Sequence, residues 1–136
     1  MTRVNLIEPS RLTNRHLVAE YKELSQLIGQ VRGMLVAKNG KTLFNRIPPS
    51  YTLNTGHVTF FVDKLSYIIK RWSLVGEEMK ERGMNAKATL NLEGLPERCF
   101  GDYIPTQEAI AIVTARISQR LNEKPHLYPD RELRGW

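Results

Sequence analysis

The residues with the most chemical potential stand at the start of the chain, Met1-Thr2-Arg3. Initiator methionine is usually removed before a small second residue, so Thr2 is expected to carry a free α-amine. Such an amine has a reference pKa of about 7.7–8.0, against about 10.4 for lysine. The neighbouring Arg3 cation lowers it further. A neutral amine can attack an electrophilic carbon and form an imine. Its natural partner is a carboxylate that steadies developing positive charge and carries a proton. Glu23 is the candidate. His16, Glu20 and Glu23 fall at i, i+4 and i+7 of one helical stripe. That stripe lies close to 90° from the apolar one, on a rim where core meets solvent. Glu20 and Glu23 gain nothing from pairing, so the stripe reads as a site rather than as a stability device.

Three amphipathic helices must position these groups. Leu17, Tyr21, Leu24, Ile28, Val31 and Leu35 alternate at spacings of four and three, predicting a helix from about Asn14 to Val36 capped by Thr13 or Asn14. Phe61, Leu65, Ile68, Trp72, Val75 and Met79 predict a second from about Phe60 to Arg82, closed by Gly83. Its first residues, Val58 to Val62, would also suit a strand. Ile110, Val113, Ile117 and Leu121 predict a third from about Gln107 to Asn122, entered through Pro105-Thr106. Lys38-Asn39-Gly40 reads as the stop of the first. The connections at 40–57 and 83–105 are long for a small protein, which marks them as functional or core-wrapping. The expectation is an all-α, single compact domain over residues 1–136, with three main helices, long irregular loops and a tail from about 125 to 136.

The chain has 136 residues and a formal net charge of +6, unevenly spread. Residues 1–76 hold 11 Lys+Arg and 4 Asp+Glu, a balance of +7, while residues 77–136 hold 9 and 10, a balance of −1. A basic half points to a polyanion, with nucleic acid foremost. Arg3, Lys22, Arg116 and Arg120 are candidates for phosphate contacts, and the last two share a helix face at i, i+4. His16, His57 and Cys99 match no metal spacing, and neither a phosphate-cradling glycine loop nor a hydrolase nucleophile elbow occurs. No cofactor is expected. The lone Cys99 suggests a reducing compartment, and no apolar run suggests a leader or membrane span. The cytosol of a bacterium or a phage-infected host is the expected location.

Four segments carry a family resemblance: Met1-Thr2-Arg3-Val4-Asn5-Leu6, His16-Leu17-Val18-Ala19-Glu20-Tyr21, Gly56-His57-Val58-Thr59-Phe60-Phe61-Val62-Asp63-Lys64-Leu65 and Gly101-Asp102-Tyr103-Ile104-Pro105. In order and spacing they resemble the phage endonuclease V-type pyrimidine-dimer DNA glycosylases, from residue 1 to about Tyr128. The resemblance implies a glycosylase and abasic-site lyase acting on cyclobutane pyrimidine dimers in duplex DNA. The amine of Thr2 would attack C1′, the glycosidic bond would break through an imine, and β-elimination would cut the strand. Glu23 aligns with the family's essential glutamate. Arg3, His16, Lys22, Gln26, Arg116, Arg120 and Tyr128 fall at positions implied to face DNA. The chain departs from the family at Lys22-Glu23-Leu24-Ser25-Gln26, where Arg-Glu-Leu-Pro-Arg is typical, and at Leu127, which replaces a tail tryptophan. Lys22 gives up a two-pronged grip, and Gln26 has no charge. The alternatives are the same imine chemistry on another base lesion or on abasic sites alone, and a non-catalytic damage-binding protein. A monomer is expected, since no spare amphipathic seam appears.

Overall fold

A computed structural model describes residues 3–136. Met1 and Thr2, and with them the expected nucleophile, lie outside the described residues. The described residues are all-helical, with one isolated bridge between Lys64 and Phe100 in place of a sheet. Helix α1 spans Asn14–Val36, α2 His57–Phe60, α3 Leu65–Glu81 and α4 Gln107–Glu123. Short 3₁₀ turns at Pro9–Arg11, Gly40–Arg46, Glu97–Cys99 and Pro125–Leu127 fold the connections inward.

The start and stop signals act as their chemistry predicts. The Thr13 hydroxyl accepts the N–H of His16, and the Thr106 hydroxyl that of Ala109. Gly83, at φ 80°, closes α3 by letting Met84 N–H reach the carbonyl of Met79. The apolar stripe of α1 packs against that of α3, burying Leu17, Leu24, Ile28 and Val31 with Leu65, Ile68 and Val75. Val113, Ile117 and Leu121 bring α4 onto the same core. No helix among the described residues is long and apolar enough to cross a membrane.

Three expectations need correction. The second long helix begins at Leu65 rather than Phe60, after the separate turn α2. The break at Phe61–Lys64 opens the backbone to a second segment: Gly101 N–H donates to Asp63 O, and Ser66 N–H to Gly101 O. A Cβ on Gly101 would sit 2.3 Å from Asp63 O, so this approach needs glycine. On α4 the core position is Ala109, and Ile110 lies 37% exposed; the packed face follows steps of four from Ala109. The third correction concerns Glu20, which is fully buried at 0% exposure and does not sit on a rim.

Candidate active site

Glu20 is buried because it has a buried partner. Arg71 of α3, itself 4% exposed, donates from Nε to Glu20 Oε2 at 2.6 Å and from Nη2 to Oε1 at 3.1 Å. Asn5 Nδ2 donates to Glu20 Oε1 at 2.8 Å, and a third Arg71 nitrogen, Nη1, donates to the carbonyl of Ile7. Burial alone would lower the pKa of Arg71, but the charge and hydrogen bonds of Glu20 override it and raise it. Glu20 is therefore a structural anchor, contrary to its reading as part of a site stripe.

This anchor holds a bent N-terminal segment. Leu6 has φ 58°, and Ile7 N–H donates across it to Asn5 O at 2.6 Å. The result is a γ-turn in a conformation that non-glycine residues rarely adopt. Such strain persists only where neighbours over-determine it, and here Asn5 and Ile7 on either side of Leu6 are both tied to the Glu20–Arg71 pair.

Upstream of the turn, the segment runs along α1. Arg3 N–H donates to Glu23 Oε2 at 3.0 Å. Glu23 is half-buried, and burial raises its carboxyl above the ordinary carboxylate range against the opposing pull of the Arg3 N–H. The carboxylate thus sits at a cleft of about 460 Å³ that Arg3, His16, Arg116, Arg120 and Tyr128 also line. Arg116 and Arg120 project from one face of α4 and meet Arg3 across the cleft. Burial and the nearby Arg116 lower the pKa of Arg3. Burial and then Arg120 push the His16 imidazole down to about 4, so it is neutral at physiological pH. The Thr13 hydroxyl, 2.7 Å from His16 Nδ1, accepts the backbone N–H of His16 and can donate its own proton to that nitrogen.

Tyr128 is placed differently from a base-stacking residue. Its ring is 3% exposed and lies parallel to His16 at a centroid distance of 4.7 Å. Its hydroxyl accepts Arg120 Nε–H at 3.2 Å. It buttresses the cleft wall and does not present an open face. Lys22 and Gln26 are exposed on α1 and do not line the cleft.

Two cleft residues escaped the sequence reading. Arg15 lines the cleft and donates from Nε to Leu127 O at 3.3 Å. Its adjacency to His16 was the one available signal, and charge alone did not separate it from the other basic residues. Asn5 also lines the cleft. Among the described residues no three His, Cys, Asp or Glu side chains are grouped to hold a metal ion. What the arrangement offers is one desolvated carboxylate facing several guanidinium groups and a neutral imidazole. That set suits a phosphate-flanked substrate and stabilisation of a cation at one point. The family profile described as pyrimidine dimer DNA glycosylase matches residues 1–92.

Proposed function

The chain belongs to the pyrimidine dimer DNA glycosylase family and is a DNA N-glycosylase, and we infer that it works through the α-amine of Thr2 with Glu23 as its acid/base. The substrate is damaged duplex DNA carrying cyclobutane pyrimidine dimers. The amine nitrogen attacks C1′ of the damaged nucleotide, and the glycosidic electron pair leaves with the base, which takes up a proton. The nitrogen gives up one proton, the C1′–O4′ bond breaks as O4′ takes up a proton, and a protonated imine links the protein to the opened sugar. Removal of a C2′ proton sends electrons into the imine and expels the 3′ phosphate, cutting the strand. Water finally hydrolyses the imine and frees the amine.

The observation that carries this reading is the hydrogen bond from Arg3 N–H to Glu23. That nitrogen is the amide bonded to Thr2, three covalent bonds from its α-amine. Glu23 can then stabilise the oxocarbenium-like charge on the sugar and accept a proton in elimination. Burial raises its pKa, the direction that favours a carboxyl able to hold and pass on a proton. Arg3, Arg116 and Arg120 supply phosphate contacts around the lesion, with His16 beside it. Lys22 and Gln26 lie outside the cleft and would touch DNA only at its flanks. A lesion that already disturbs stacking lowers the cost of opening the duplex.

Borohydride trapping tests the reading. Protein lacking Met1 is mixed with labelled duplexes carrying a thymine dimer or an abasic site. An adduct with both, mapped to Thr2, is the expected result. An adduct with the abasic duplex alone moves the substrate to another lesion, and none with either removes the imine mechanism.

A further inference from the structure

The connection between α1 and α2 is long, and its purpose shows in what it brings to the N-terminal segment. Val4, two residues after Thr2, is fully buried and has both backbone polar groups taken. Tyr51 Oη donates to Val4 O at 2.8 Å. Val4 N–H donates to His57 Nε2 at 3.0 Å. The other ring nitrogen of His57, Nδ1, lies 2.7 Å from Thr52 O. A nitrogen that accepts the N–H of Val4 cannot carry a proton, so Nδ1 holds the ring proton and donates it to Thr52. Tyr51 and His57 meet edge to face at 5.3 Å, and Phe61 closes the other side of the imidazole at 5.6 Å.

We propose that His57 and Tyr51 are positioning residues that fix the register of the N-terminal segment by gripping Val4 from both sides, and that acid opens the grip at His57. The proposal rests on the imine reading given above and deepens it. A one-residue slip of an extended segment would turn Val4 out of the core and carry the amine about 3.3 Å along the chain. Among the described residues no other hydrogen bond holds Val4 by its backbone. A second proton on His57 would set two donors, Nε2–H and Val4 N–H, against each other. The charged groups that act on His57 are Arg3 of the N-terminal segment, which disfavours that proton, and Glu20 of α1, which favours it; burial, the largest influence, disfavours it. The grip therefore holds at neutral pH and opens only in acid.

The test is single-turnover borohydride trapping on an abasic duplex across a pH series, with wild-type protein, H57Q and H57L. Glutamine can present Oε1 to Val4 N–H and does not titrate, whereas leucine offers no acceptor. Expected at pH 7 is a loss on the order of tenfold to a hundredfold for H57L, the scale that small misplacements of reacting groups produce. H57Q should stay within a few-fold of wild type, and all three should share one DNA affinity. In acid, wild type should lose trapping faster than H57Q. Equal trapping by H57L and wild type overturns the proposal, as does an H57Q profile indistinguishable from that of H57L.

Should the variants not fold, wild-type protein still decides. Imidazole nitrogen shifts should report Nε2 bare at neutral pH, and Val4 amide exchange should accelerate as His57 takes up its second proton. A protonated Nε2 at neutral pH, or exchange at Val4 indifferent to that titration, sinks the proposal. Failure of wild type to form any adduct strikes the imine mechanism instead, and the nuclear magnetic resonance readout still judges the grip separately.

Discussion

The two ends of the chain border the same cleft but are held in opposite ways. The N-terminal segment is fixed by buried groups: Glu20, Arg71, His57 and Tyr51 reach it from three helices and a loop. The tail from Pro125 is fixed mainly at the surface. Asp130 Oδ2 accepts Asn14 N–H, Arg15 reaches Leu127 O, and Trp136 Nε1 donates to Arg11 O beneath the Arg11 guanidinium. Only Tyr128 is buried in it. Buried hydrogen-bonded charges are costly to disturb, while exposed ones contribute little. The segment from Val4 to Ile7 is thus held by buried bonds, and the tail that shapes the cleft wall is open to change at small cost. Leu127 falls on the changeable side.

The largest effect expected from breaking this contrast is at Glu23. E23Q keeps the size of the side chain and an oxygen for Arg3 N–H but removes the base. Imine trapping or strand cleavage should fall by about 10²–10⁴-fold, the range of general acid–base contributions. Stability should move the other way. Because the folded-state pKa of Glu23 is raised above 4.5, its stabilising proton is fully held below the unfolded value and lost as pH rises through the folded one. E23Q has no such loss, so denaturant melts should show it as stable as wild type in acid and somewhat more stable at neutral pH. Unchanged catalysis would remove Glu23 from the chemistry.

Next comes the anchor beneath the turn at Leu6. R71M leaves Glu20 charged, buried and without its counter-ion, and about 3–5 kcal/mol of stability should go. Adding E20L removes the stranded charge, so the double variant should recover much of that in urea melts. It should not recover trapping, because Ile7 O and Asn5 remain without the partners that support the strained φ of Leu6. Recovery of both would mean that the segment needs no anchor, and the contrast between the two ends would lose its basis.

These residues also show how far the sequence could be read. Local signals were legible: the stripes of α1 and α3, the caps Thr13 and Thr106, and the stop at Gly83 all depend on neighbours within a turn or two. The start of α3 was misjudged because the break at Phe61–Lys64 is set by Gly101, distant in sequence. Glu20 was misread for the same reason, since its partner Arg71 lies 51 positions away. From α1 alone it is one more polar residue on a flank. Arg3, His16, Glu23, Arg116 and Arg120 are brought to one cleft. Lys22 is not, because a single step from Glu23 turns it about 100° around α1, and Gln26 is not, because it stands a turn beyond Glu23, the last α1 residue to line the cleft. Thr2 lies outside the described residues, and its assignment stands on the family and on its bond to Arg3.

A smaller effect is expected from pH at the junction of the two ends. His16 belongs to α1 yet stacks on Tyr128 of the tail, and its pKa is lowered from 6.5 to about 4. Between those values the unfolded chain binds the proton that the folded one refuses, so stability falls as pH drops from about 6.5 to 4. His57 is shifted in the same direction. H16Q should flatten this part of the stability profile by on the order of 1 kcal/mol, allowing for the solvent that reaches the half-buried ring. An identical slope in wild type and H16Q would place the acid sensitivity elsewhere.

The smallest effect expected is at Tyr128 itself. Y128F keeps the ring on His16 and removes only the hydroxyl that accepts Arg120 Nε–H. Losing one such bond costs about 0.5–1.5 kcal/mol, and the freed guanidinium is close enough to the cleft to find a phosphate instead. Stability should drop slightly while the salt dependence of DNA binding stays as steep or steepens, since each phosphate neutralised adds about 0.9 to the slope of log K against log salt. R120Q should shed about one such unit. Y128A is the sharper comparison, because it also strips the cover from His16 and cuts the tail loose from the cleft. Large losses of trapping in Y128A alongside near-normal Y128F would show that the tail acts through its ring. Equal losses in both would make the hydroxyl's hold on Arg120 decisive, and the tail would then be as exacting a wall as the N-terminal one.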